Sequence, residues 1–158
     1  MVRSFDELDQ MKDKVKGKIV IYNQGWTNYY DTVIYRAQGG DKAAAYGAVA
    51  ALVRSVASKS IYSVHAGIQY GDKIPIAAIT VEDADMFSRM QARGQKIELE
   101  LQIENESTDN TNSSNLIFEI KGSEKPDEIL LMGGHIDSWD TGSQTGANDD
   151  GGGFITCY

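Results

Sequence analysis

Residues 130–153 read LLMGGHIDSWDTGSQTGANDDGGG, and the reading of the fold turns on how this string divides. Leu130, Leu131 and Met132 are apolar and strand-like, two glycines follow, and then come His135 and Asp137. Side chains at i and i+2 of a strand share a face, so His135 and Asp137 project together if the strand persists that far. Gly133 and Gly134 remove side chains where a neighbour must approach closely. Asp149 then opens a segment in which Gly151 to Ile155 resumes apolar helical spacing. Strand, loop and helix in that order open an α/β layer, in which ligands gather at the carboxyl ends of the strands.

The residue types suit a divalent metal. A metal-binding histidine is commonly held in orientation by a carboxylate on its second nitrogen, and Asp137 is spaced for that duty. The Asp149 carboxylate has two oxygens and can bridge two cations. Nitrogen and oxygen donors without a thiolate fit a hard-to-borderline ion. The count is short, however, because a catalytic zinc takes three protein ligands plus water and only His135 and Asp149 are in hand. Spacing alone leaves a plainer reading open: a His-x-Asp pair is common, and Asp-Asp-Gly-Gly-Gly also suits a turn that caps a helix. His65 has no acidic neighbour in Tyr62-Ser63-Val64-His65-Ala66-Gly67 and reads as a loop or packing residue. Trp139 reads as a pocket wall or a partly buried aromatic, and Cys157 as inert.

Upstream, helix and strand signals alternate. Ser4-Phe5-Asp6-Glu7 reads as a capping box opening a helix to about Val15, with Phe5, Leu8, Met11 and Val15 at helical spacing. Lys18 to Tyr22 is a short apolar run between Gly17 and Asn23-Gln24-Gly25, a strand signal. Asp31 to Gln38 reads as a helix that stops at Gly39-Gly40. Ala43 to about Tyr46 continues helical, and after Gly47 a buried strand runs from Ala48 to Val53. Ile74 to Ile79 is another buried strand, and Thr80 caps the helix that follows it to near Gly94. Ile97, Leu99, Leu101 and Ile103 alternate with Glu98, Glu100 and Gln102, which marks a strand with one wet face. Residues 104–114 are polar and read as a hinge. Leu116 to Ile120, a Lys125-Pro126-Asp127 turn and Glu128 to Met132 read as a β-hairpin or neighbouring strands.

Composition bounds the function class. In 158 residues, 41% are hydrophobic and only two are proline, enough for a core. A net charge of −8 offers no basic stripe to neutralise phosphates, which argues against nucleic acid as partner. No apolar run reaches the roughly 20 residues of a membrane span, and the first residues lack the apolar core of a signal peptide. One cysteine forms no internal disulfide. Asn105-Glu106-Ser107 and Asn112-Ser113-Ser114 are glycosylation sequons, meaningful only on the secretory route.

Gly134 to Asp140, followed by Gly146-Ala147-Asn148-Asp149-Asp150-Gly151-Gly152-Gly153, resembles the first metal-binding segment of the co-catalytic zinc exopeptidases. Ser4 to Leu8, Gly17 to Gln24, Arg54 to Ser58, Ser60 to Ser63, His65, Gly67 to Gln69 and Ile79 to Ala84 also resemble that family, so the likeness covers nearly the whole chain. Thr141 to Thr145 is about two residues longer than in such relatives. The implied fold is α/β: a protease-associated domain (a small β-sheet or barrel with flanking helices) followed by the first strands of a zinc-exopeptidase domain. The implied division is a helical segment at 1–16, the protease-associated domain at 17–104, a linker at 105–114 and a truncated peptidase domain at 115–158.

By this resemblance His135 binds one of two Zn²⁺ ions, Asp149 bridges both and Asp137 orients His135. The complete enzyme is expected to hydrolyse dipeptides or peptide termini by metal-activated water, as a metallocarboxypeptidase or dipeptidase. Relatives supply the general-base glutamate and further ligands from residues that have no match here, so the chain reads as a middle fragment expected not to catalyse alone. The resemblance also implies a small peptide substrate, a homodimer of the complete enzyme, and a secreted or lysosomal location. The alternative is a stand-alone protease-associated interaction module without catalysis.

Overall fold

The computed structural model describes every residue except Tyr62, Ala66, Ser107 and residues 140–143. Two compact units are present, Met1–Asn105 and Glu106–Tyr158. The first is built on three parallel strands, β1 (Ile19–Tyr22), β2 (Ala50–Arg54) and β3 (Ile76–Ile79), in the order β1-β2-β3. Val20 pairs with Ala51, and Leu52 with Ala77. An open three-stranded sheet, rather than a barrel, therefore carries the domain. The middle strand is the driest, since Ala50 to Val53 are all buried, as apolar runs in parallel sheets usually are. β3 was expected to be buried but is only half-buried along its length, whereas β1, at the other edge of the sheet, is buried from Val20 to Tyr22.

Helix α1 (Phe5–Gln10) begins where its chemistry says it should. The Ser4 hydroxyl accepts from the Glu7 amide at 3.1 Å. The Glu7 carboxylate reaches back past the cap and accepts from the Arg3 amide at 2.6 Å, one residue earlier than a capping box requires. The expected run to Val15 is interrupted: the α-helix ends at Gln10, and a 3-10 turn covers Lys12–Lys14. The apolar stripe survives the interruption, with Leu8 and Val15 buried in the main core and Phe5 and Met11 packed against it.

Helix α2 (Tyr29–Ala44) corrects the expected stop at Gly39-Gly40. It starts earlier, where the Asn28 side chain accepts from the Asp31 amide at 2.9 Å, and it runs straight through both glycines. The reason is packing. A Cβ on Gly39 would lie 2.7 Å from Cε2 of Tyr22, whose hydroxyl donates to the Gly39 carbonyl at 2.7 Å. Gly39 is thus a contact glycine that lets the sheet approach the helix. The turn out of α2 falls instead at Gly47, with φ +82°. Phe5, Tyr22 and Tyr35 meet beneath it with ring centroids 4.6–5.7 Å apart, an arrangement that adds to simple burial.

Helix α3 (Val81–Ala92) follows β3 as expected, with Thr80 Oγ1 accepting from the Asp83 amide at 3.0 Å. Residues 97–103 pair with no strand, and the strand expected there is not formed. Their alternation shows only as partial burial, with Ile97 and Leu99 half-buried and Glu98 and Glu100 exposed. Ile97 and Leu99 line a cavity of about 540 Å³ together with Leu8, Met11, Val15 and Ile19.

In the second unit the Lys125 turn is present, closed by the Glu128 amide on the Lys125 carbonyl at 3.1 Å. The strands expected on either side, at 116–120 and 128–132, are not formed, and Ile117, Phe118, Ile129 and Leu130 are exposed. A strand needs a partner for its ladder of amides and carbonyls, and period-two spacing alone does not supply one. Helix α4 (Gly151–Cys157) closes the unit.

Alanine at Gly39 tests the packing argument. Alanine is the better helix former by about 1 kcal/mol. Overpacking a buried ring that is already hydrogen-bonded costs about 1–3 kcal/mol. Gly39→Ala is expected to lower the urea midpoint with an unchanged slope, whereas Gly25→Ala, with no atom within 4 Å of the added carbon, leaves it in place. A wild-type midpoint for Gly39→Ala would mean the Tyr22 ring has room to move.

Candidate metal centre

The three residues singled out by type are brought together within the second unit. His135 Nδ1 lies 2.9 Å from Oδ1 of Asp137 and 3.1 Å from its carbonyl. On the other side of the ring, Nε2 lies 2.9 Å from Oδ1 of Asp149, across fourteen residues of chain. The imidazole is half-exposed and both carboxylates are largely exposed. No strand is assigned at 135–137, so the shared direction of His135 and Asp137 rests on this contact rather than on a pleat.

Local turn chemistry presents Asp149. Gly146, at φ +72°, accepts the Gly151 amide on its carbonyl at 2.8 Å and so closes a short loop. Asp150, joined to Asp149 by a cis peptide, is the N-cap of α4 and accepts from the Gly153 amide at 3.0 Å. Ser138, Trp139 and Asp149 line a cavity of about 300 Å³, so Trp139 does form part of a pocket wall. The loop expected to be longer at Thr141 to Thr145 lies mostly outside the described residues.

Electrostatics follow from the geometry. A neutral imidazole has one N–H to give, yet here each nitrogen faces a carboxylate, so both contacts are satisfied together only by the imidazolium. The hydrogen bond to Asp149 raises the His135 pKa above its ordinary value; desolvation opposes this, and the contacts with Asp137 add to the rise. If Asp137 keeps the Nδ1 proton, Nε2 is left to offer its lone pair on the Asp149 side, which is the tautomer a cation needs.

The donor chemistry therefore fits a zinc-type ion. Zinc bonds of about 2.0–2.2 Å in tetrahedral geometry separate two ligand atoms by about 3.3 Å. The observed 2.9 Å would have to open by only a few tenths of an ångström, which exposed side chains can accommodate. Among the described residues no group of three or more His, Cys, Asp or Glu side chains is placed to hold one ion.

His65 lies in the first unit, where its amide donates to Ser55 Oγ at 2.8 Å and its ring meets that of Tyr29. Cys157 is free and exposed. The carboxyl ends of the strands hold an internal polar network that the sequence did not signal. Arg54 bonds Asp85 and Asn23 at 2.5 and 2.8 Å, Ser60 Oγ donates to Glu82 at 2.6 Å, and the Val81 amide donates to Ser60 Oγ. The plainer reading of Asp-Asp-Gly-Gly-Gly, a turn that caps a helix, holds at Asp150, whose carboxylate accepts from the Gly153 amide.

Known proteins bear on this arrangement. The PA domain family matches residues 3–87, and Peptidase family M28 matches residues 115–158. Carboxypeptidase Q of Mus musculus is 54% identical over 99% of the chain, that of Homo sapiens 53% and that of Xenopus laevis 48%. The chain spans 34% of the length of each of these relatives. A crystal structure of a Peptidase M28 precursor from Shewanella amazonensis SB2B shares the fold, with a TM-score of 0.51 at 24% identity over 60% of this chain and 24% of that one. Among the described residues no helix is long and apolar enough to cross a membrane. With a PA domain over more than half its length, the chain belongs to the PA domain family, and its residues 115–158 match the model of Peptidase family M28.

Proposed function

We propose that this chain is the PA-domain and first-ligand segment of a zinc-dependent metallo-exopeptidase acting on dipeptides or peptide termini. One observation carries the reading: His135 is held between two carboxylates at 2.9 Å on each ring nitrogen. In this reading His135 and Asp149 would hold the metal, Asp149 would also serve a second ion, and Asp137 would orient the imidazole. Bound zinc supplies Lewis-acid polarisation of a peptide carbonyl. The chain's own residues bind and orient: Asp137 fixes the proton on Nδ1, and Asp149 directs an oxygen to the place Nε2 faces. The name Carboxypeptidase Q, borne by relatives about half identical to the chain, supports peptide-bond hydrolysis. Asn105 and Asn112 are exposed, which agrees with the secreted or lysosomal location and glycosylation proposed for the complete protein. A homodimer of the complete enzyme belongs to the same proposal.

Two ligands do not make a catalytic centre, so the chain alone is proposed to be inactive. Purified residues 1–158 with added zinc are expected to hydrolyse a dipeptide no faster than buffer. Residues of a catalytic unit do not compensate for one another's absence, and turnover above background would overturn this reading of the ligand set.

Zinc titration followed calorimetrically tests the ligands directly. The expected result is a weak site, abolished by His135→Ala and weakened about ten-fold by Asp137→Asn, the range found for partners that orient a ligand. A nanomolar site would mean that more than two groups ligate. Binding unchanged in His135→Ala would remove the metal reading and favour an interaction module built on the PA domain.

A further inference from the structure

We infer that Asp150 is a positioning residue of the metal centre, acting through Asp149 as a hydrogen-bond acceptor rather than through its charge; the inference rests on the zinc reading above. Asp149 points at His135 only because the backbone on either side of it is fixed. Before it, Gly146 accepts the Gly151 amide at 2.8 Å. After it, Asp150 is tied twice to the first turn of α4: its carboxylate accepts from the Gly153 amide at 3.0 Å, and its carbonyl from the Phe154 amide at 2.9 Å. The carboxylate folds so closely over the helix that a Cβ on Gly153 would come within 2.6 Å of its carboxyl carbon. A Cβ on Gly152 would meet nothing within 4 Å. The three glycines are therefore not equivalent. Gly153 is required by Asp150, while Gly152 is free to be replaced. Asp150 follows Asp149 directly in the chain and its own bonds run to α4, so its effect on the imidazole passes through the placement of its neighbour.

The acceptor role separates this from ligation. Asparagine caps a helix as well as aspartate does and lacks the charge; alanine caps poorly. Four variants of the full 158-residue chain decide the matter, each titrated with zinc alone and each followed metal-free through the His135 ring nitrogens by NMR. Asp150→Asn and Gly152→Ala are expected to keep zinc affinity within about two-fold and to keep the ring signature of a bond to Asp149. Asp150→Ala and Gly153→Ala are expected to weaken zinc about ten-fold and to lose the Nε2 bond while keeping the Nδ1 bond to Asp137. Alanine is the better helix former at both glycines, so a loss confined to Gly153→Ala identifies the contact with Asp150 as the cause. Asp150→Asn behaving like Asp150→Ala would show that the charge acts, and would overturn the inference. So would a Gly153→Ala chain indistinguishable from wild type. Should the wild-type chain take no zinc, the metal reading fails by itself, and the metal-free ring signals still decide whether Asp150 sets the contact between Asp149 and His135.

Discussion

Tyr22 ends β1 with its side chain wholly out of water, and a buried phenol is costly unless its hydroxyl finds a partner. The partner is the Gly39 carbonyl on α2, 2.7 Å away, and burial correspondingly raises the Tyr22 pKa. That single bond obliges the helix to lie within a ring's thickness of the sheet, which only a residue without a side chain allows. The consequences spread from there. Tyr35, four residues before Gly39 and on the same helix face, is brought onto Tyr22 and Phe5, and Phe5 brings α1 with it. On the outer edge of β1, Val2 pairs with Tyr22, its amide donating to Ile21 and its carbonyl accepting from Asn23. The N-terminal helix, the edge strand and α2 thus meet at one aromatic side chain.

Capping is the second constraint, and it recurs at every helix. Ser4, Asn28, Thr80 and Asp150 each turn a side-chain oxygen onto the amide three residues ahead, as donors left open by helix geometry demand. At the first three the cap sets where a structural helix begins. At the fourth the same device stands next to Asp149, so a local rule about orphan amides also sets where an oxygen meets an imidazole.

Sequence legibility followed the range of the interaction. Ser4 and Thr80 were readable because cap and amide are three residues apart. Donor identity at His135, Asp137 and Asp149 was readable and so was the pairing of His135 with Asp137, two residues apart, but the approach of Asp149 was not, since fourteen residues separate it from His135 and no spacing rule spans a loop. Gly39-Gly40 was misread for a definite reason. A glycine ends a helix by adopting positive φ or serves it by making room, and the string is identical in both cases; only Tyr22, seventeen residues earlier, tells them apart. The alternation expected over 97–103 survives as a pattern of burial only at Ile97 and Leu99 and was misleading as a strand, because pairing depends on a second segment that periodicity does not name.

These ranges also explain why the two units depend on different forces. The first unit buries Leu8, Tyr22, Ala51 and Val53 almost completely, and its elements are held by a shared core. The second leaves Ile117, Phe118, Ile120 and Leu130 exposed, and among its described residues none of the seven in α4 is buried. Burial is worth about 25 cal/mol per Å² of apolar surface, so a unit that hides so little gains little from it. Order around His135 must then come from short-range bonds: the Gly146 carbonyl, the Asp150 cap and the two carboxylates on the ring. Such bonds contribute about 1 kcal/mol each, and more where one partner is charged. A site assembled that way is sensitive to the loss of any single acceptor and indifferent to most changes elsewhere, which is the opposite of the first unit, where volume rather than hydrogen bonding decides what is tolerated.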